Sequence, residues 1–308
     1  MRNRSIKKPT FFDYLERRIS QLNDYGKTRT AETYRTALNK LKEFRKGLDF
    51  TFEKLDCCMM EKYQSFLFSQ GLIPNSISFH MRILRAAFNR AVQEGVCRPQ
   101  NPFRYVYTGV DKTKKRSLSI ESIKALKTLD LESDRNLSFA RDMFLLSFYF
   151  RGMSFIDMAF LRKSDLKNGT LTYFRRKTGK RLIIRWTDEM QEIIDTYTCD
   201  STPYLLPIIK GGSRNPYTEY RKMQYTVNRQ LKKIGVHLGL PITLTAYVAR
   251  HSWATIAREI GIPMSTISES LGHESENTTR IYLSLIDTSA VDLANSRIIE
   301  SLGSPIPL

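Results

Sequence analysis

Four apolar stripes at helical spacing fill the first hundred residues, and a chain patterned this way has to begin as a small helical bundle. Phe12, Leu15, Ile19 and Leu22 form the first stripe, and Tyr34, Leu38, Leu41 and Leu48 the second. Leu55, Met59, Tyr63 and Phe66 make the third; Ile77, Met81, Leu84, Phe88 and Ala91 make the fourth. Side chains three and four residues apart share one helix face, so each stripe must be buried against the others. Gly26, Gly47 and the run Gly71-Leu72-Ile73-Pro74 separate them as stops and starts.

The pattern breaks from Asn101-Pro102 to Thr108-Gly109, and a charged connector follows from Asp111 to Arg116. A boundary near residue 110 therefore divides a helical domain, 1–110, from a second domain, 111–308, that ends in a tail helix. The second domain opens with helices from Ser119 to about Leu129 and from Asn136 to about Phe150. A strand pair follows, Leu171–Phe174 and Leu182–Ile184, joined by a turn over Lys177-Thr178-Gly179-Lys180. Further helices are predicted at about 187–198, 217–234, 245–260, 264–271, 276–284 and 289–301. The expected class is mainly α with one small β-hairpin or sheet.

Charge narrows the partners. Lys and Arg number 49 against 31 Asp and Glu, a net of +18 spread along the whole chain, which favours a polyanion. Membrane attachment is the competing use of so basic a chain. No run of about 18 apolar residues and no secretory signal occurs, so a membrane partner is not expected. Cys57, Cys58, Cys97 and Cys199 lack metal-ligand spacing and read as reduced residues of a cytoplasmic protein. Arg82 and Arg85 flank the fourth stripe, where they are either a solvated face or a face laid against DNA.

The chemistry-bearing residues gather late in the chain. Arg250 stands three residues before Trp253, at the edge of a stripe completed by Ile256, Ala257 and Ile260. A guanidinium half-withdrawn from water needs an anion, either a structural carboxylate or a ligand. His273 follows Gly272, a helix stop, and precedes Ser275, an N-cap for the helix that would carry Tyr282. Lys177 at the hairpin tip could hand a proton to a leaving oxygen, although turn lysines are common on any surface. Arginine, histidine and tyrosine in this order suit attack on a phosphodiester. No Asp/Glu cluster here is arranged for Mg²⁺, so neither metal nor cofactor is expected.

Together these residues resemble the tyrosine recombinases, or phage integrases, over nearly the whole chain. Arg250, followed by His251, matches the second arginine of that family, Leu271-Gly272-His273 its Leu-Gly-His box, Tyr282 its nucleophile and Lys177 its hairpin lysine. Two positions depart. Tyr247 stands where the family has a histidine, and Ser154 stands in the first-arginine slot of Phe150-Arg151-Gly152-Met153-Ser154-Phe155-Ile156-Asp157. Arg151 lies one helical turn earlier and, on a helix running through, would reach the same phosphate. This variant is similar to integrases from mobile elements of Bacteroides-type bacteria.

The resemblance implies a SAM-like helical core-binding domain and a catalytic domain that close on double-stranded DNA. Tyr282 would form a 3′-phosphotyrosyl bond, Arg250 and Arg151 would hold the phosphate, and Lys177 would protonate the leaving 5′-oxygen. His273 and Tyr247 would position the phosphate. Strand exchange would run in a homotetramer on paired sites, with accessory DNA-bending proteins. A type IB topoisomerase activity and a non-catalytic DNA-binding relative remain as alternatives.

Overall fold

The computed structural model describes residues 9–111, 116–131, 133–197, 201–211, 215–275 and 279. Tyr282, Cys199 and the helices expected at 276–284 and 289–301 lie outside the described residues. The chain divides into two compact units, Met1–Thr113 and Lys114–Leu308. Among the described residues, no helix is long and apolar enough to cross a membrane.

In the first unit the four stripes become α1 (Phe11–Asp24), α2 (Thr28–Phe44), α3 (Cys57–Ser69) and α4 (Pro74–Gln93). Asp56 caps α3 by accepting from the Met59 amide, and Pro74 opens α4 where its missing N–H costs nothing. Phe11, Leu15, Leu38, Leu41, Tyr63, Leu84 and Phe88 form the centre of the core. Two stripe members do not belong. Leu48 is 66% exposed, because α2 stops at Phe44 and Gly47 turns the chain with φ 78°. Leu55 is buried but caps a short 3₁₀ turn before α3.

Arg82 and Arg85 are exposed on α4. The segment 101–111 returns along this helix. Asn75 exchanges two hydrogen bonds with the Asp111 backbone, Ser78 donates to the Gly109 carbonyl, and Arg85 donates to Thr108 Oγ1 at 3.3 Å.

The second unit contains α5 (Ile120–Thr128), α6 (Arg135–Tyr149), α7 (Phe155–Ala159), α8 (Asp188–Thr196), α9 (Pro216–His237), α10 (Ala246–Glu259) and α11 (Met264–Ser270). Its sheet is antiparallel in the order β1 (Leu166–Lys167), β2 (Thr170–Phe174), β3 (Arg181–Arg185). Leu171 pairs with Ile184 and Tyr173 with Leu182, and all four point into the core. Helix α6 packs against both α9 and α10, and its apolar residues Met143, Phe144 and Leu146 are fully buried there. β1 and α7 were not legible in the sequence; two and five residues are too short to show a period.

The helix expected to run from Arg151 into Ser154 does not do so. Helix α6 ends at Tyr149, and Arg151 and Gly152 both adopt left-handed backbone, with φ 57° and 71°. Arg151 therefore lies in a turn, not one helical turn behind Ser154. The stripe expected on α10 also needs correction: Ile256 and Ala257 are buried, but Trp253 is only partly so and Ile260 is exposed beyond the helix end.

Candidate active site

Arg250 is the centre of the site. It is 4% exposed rather than half-withdrawn, because α10 turns it inward against α6 and the loop after α11. Its Nη1 donates to the Gly152 carbonyl at 2.9 Å, and its Nη2 donates to the Leu271 carbonyl and, at 3.0 Å, to His273 Nε2. The contact with Gly152 is close: a Cβ there would fall 2.7 Å from the Arg250 Cα. Only glycine allows the turn after α6 to lie so near α10. That turn also carries Arg151, whose charge reaches Tyr173, although no carboxylate or carbonyl contact fixes its side chain among the described residues.

A second buried guanidinium, which the sequence did not single out, belongs to Arg175. It follows β2 at the start of the hairpin turn, is 8% exposed, and donates through Nη1 to the Gly272 carbonyl at 2.7 Å. The signal was strand alternation. Leu171, Tyr173 and Arg175 fall at every second residue and so share the inward face, where an arginine is out of place unless something polar meets it. Lys177, two residues on, is exposed on the turn as expected.

Arg250 and Arg175 are thus held by backbone carbonyls from two turns. Among the described residues neither forms an ion pair with a carboxylate. Asp157 is buried nearby, but its oxygens accept from Ser154 Oγ at 2.6 Å and from the Arg176 amide at 2.9 Å. Burial, and then the charge of Arg175, lowers the Arg250 pKa to about 10, which still leaves it protonated near neutrality. Two cations taken out of water with no carboxylate bonded to them among the described residues carry a desolvation cost of several kcal/mol by order of magnitude. A bound anion would offset it.

His273 stands between these cations and a hydroxyl. Arg250 can only donate, so His273 Nε2 is the acceptor and its Nδ1 carries the proton, donated to Thr279 Oγ1 at 2.7 Å. Burial, then Arg250, Arg175, Lys177 and Lys180, holds the imidazole pKa down to about 4. Tyr247 begins α10 with 54% of its surface exposed and its ring edge-on to His251, centroids 4.8 Å apart. Arg250 and Arg175 act on its phenol, so the tyrosine in the histidine slot borders the same cluster. Ser154, in the first-arginine slot, precedes α7 and points its hydroxyl at Asp157.

The structure thus brings together Arg250, His273 and Tyr247 from the expected set and adds Arg175. It leaves Lys177 on the adjoining hairpin, Arg82 and Arg85 on the other unit, and Tyr282 undescribed.

Comparison with known proteins bears on this geometry. The model of the phage integrase family matches residues 123–288, and that of the phage integrase SAM-like domain matches residues 10–112. Tyrosine recombinase XerC of Rickettsia canadensis is 34% identical over 143 residues, 45% of this chain and 45% of its own length. XerC of Rickettsia massiliae is 33% identical over the same length and coverage. The chain thus spans about half the length of the curated relatives it matches. Among solved structures, a Tn1549 transposon integrase in complex with a circular intermediate DNA superposes with a TM-score of 0.69 at 17% identity, covering 93% of this chain and 99% of that one. A lambda integrase (75–356) dimer bound to a COC′ core site gives 0.64 at 17%, covering 89% and 95%. At those identities the likeness is one of fold.

Proposed function

The chain belongs to the phage integrase family, and on that premise we propose that it is a site-specific recombinase that breaks and rejoins double-stranded DNA through a 3′-phosphotyrosyl intermediate. One observation carries the reading: Arg250 and Arg175 converge beside His273, both buried and, among the described residues, both without a carboxylate partner. A phosphodiester is the anion such a pair fits, and a net charge of +18 draws DNA toward it.

In this reading Tyr282 Oη forms a bond to the scissile phosphorus as the bond to the 5′-oxygen breaks. Arg250 and Arg175 hold the non-bridging oxygens while charge builds, each supplying about 3–4 kcal/mol if it behaves like an oxyanion donor. Arg175 fills the role of the missing first arginine, with Arg151 at the margin. Lys177 protonates the departing 5′-oxygen. His273, neutral and with its Nε2 lone pair taken up by Arg250, orients that guanidinium. Tyr247 and His273 position the phosphate. The bond energy stays in the phosphotyrosyl ester, so religation to a partner strand exchanges DNA. The natural setting is cytoplasmic DNA, a homotetramer on paired sites and accessory DNA-bending proteins.

A nicked suicide substrate tests this, built on the chromosomal segment to which the chain crosslinks in its host. Covalent protein–DNA adduct from the wild type and none from Tyr282→Phe is the expected result. Binding without adduct would make the chain a non-catalytic relative, and adduct with relaxation but no need for two sites would make it a topoisomerase.

A further inference from the structure

Strand β2 turns three side chains inward at alternate positions. Leu171 lies in the core and Arg175 lies in the arginine–histidine cluster. Tyr173 stands between them on the strand, 7% exposed, with its phenol in the field of Asp157, Arg250, Arg175 and Arg151. A purely packing position would be served by phenylalanine. A buried hydroxyl is unfavourable there unless it has a hydrogen-bond partner.

The groups around it are already engaged. The Asp157 oxygens accept from Ser154 and Arg176, Arg250 donates to Gly152, Leu271 and His273, and Arg175 donates to Gly272. Among the described residues Tyr173 Oη forms no hydrogen bond, yet it is not one of the sealed, unpartnered polar atoms, as Tyr63 Oη is. Arg250, Arg175 and Arg151 outnumber Asp157 among the charges that act on the phenol, so the local field is positive and favours an anionic oxygen as its acceptor.

We infer that Tyr173 is a phosphate-binding residue, whose Oη–H donates to a non-bridging oxygen of the phosphate seated between Arg175 and Arg250. The assignment rests on the recombinase reading. Burial, reinforced by Asp157, keeps the phenol protonated far above the usual tyrosine range, so it acts as a donor and does not compete with Tyr282 as a nucleophile. Being neutral, it contributes little to DNA affinity, which the cations dominate.

Tyr173→Phe removes one oxygen and leaves the packing. Adduct formation on the suicide substrate should slow by about tenfold to a hundredfold, at or below the usual worth of one preorganised donor. DNA affinity and the thermal midpoint should stay at wild-type values. A second readout separates contact from packing. With a stereopure methylphosphonate at the scissile position, the isomer that lacks the acceptor oxygen should abolish the difference between wild type and Y173F, while the other isomer preserves it. Wild-type rates in Y173F, or an equal defect on both isomers, would overturn the assignment alone. Absence of adduct from the wild type itself would instead overturn the recombinase reading, and this assignment with it.

Discussion

Arg250 Nη2 lies 3.0 Å from His273 Nε2, and because arginine only donates, this contact fixes the tautomer and charge of the histidine. The second nitrogen is committed to Thr279 Oγ1. A proton on Nε2 would break the contact and add a third cation beside Arg250 and Arg175. The arrangement is therefore sensitive to acid.

That sensitivity has a sign. His80, His251 and His273 are each held at about 4 in the folded chain against an ordinary 6.5, in every case chiefly by burial. Between those values the unfolded chain binds more protons than the folded one, so stability rises with pH. Urea unfolding should show stability complete above about pH 6.5 and falling steadily toward pH 4. A flat profile over that window would show that the histidines ionise freely in the fold.

Arg175→Ala should cost about 10²–10³ in the rate of adduct formation, the range for loss of one preorganised donor, with little loss of binding. Arg151→Ala should cost less, since its side chain is not fixed against the cluster, and Ser154→Ala less again. Adduct kinetics on the three variants decide the order. If Arg151→Ala proves the most damaging, the role of first arginine returns to Arg151.

Gly152→Ala places a methyl 2.7 Å from the Arg250 Cα at a residue whose φ is +71°. The backbone strain alone is about 1–3 kcal/mol. Denaturant unfolding should register that loss, and adduct formation should fall further than stability explains, because the Gly152 carbonyl orients Arg250. Retention of full activity would mean that the turn and α10 separate without consequence.

Lys177→Ala should slow cleavage by about 10²–10⁴-fold if the lysine is the general acid. A 5′-bridging phosphorothiolate, whose sulfur leaves without a proton, should recover most of the loss. Equal slowing on both substrates would leave Lys177 the role of holding DNA.

Replacing Arg82 and Arg85 with alanine should flatten the dependence of log K on log salt by about 0.9 for each phosphate that is no longer neutralised. Both side chains are exposed on α4, and Arg85 is held toward Thr108. An unchanged slope would leave them as a solvated face.

Local signals in the chain were enough to give the helical class, the four helices of the first unit, the hairpin and the positions of Arg250 and His273. Each of these is written in local periodicity, in glycine and proline punctuation, or in a short motif, and local signals survive without knowledge of the fold. Even so, Leu48 and Ile260 fell outside their stripes, because α2 ends at Phe44 and α10 at Glu259, before a periodic pattern can show that it has ended. Tertiary structure alone decided which cations meet. Arg175 and Arg250 lie far apart in the chain, and they converge only because Gly272 and Gly152 let two turns approach closely enough for their carbonyls to hold both guanidiniums. Arg151, nearer in sequence to the empty arginine slot, was the better guess from spacing. Helix α6 ends before reaching it, however, and spacing has geometric meaning only while the backbone stays regular.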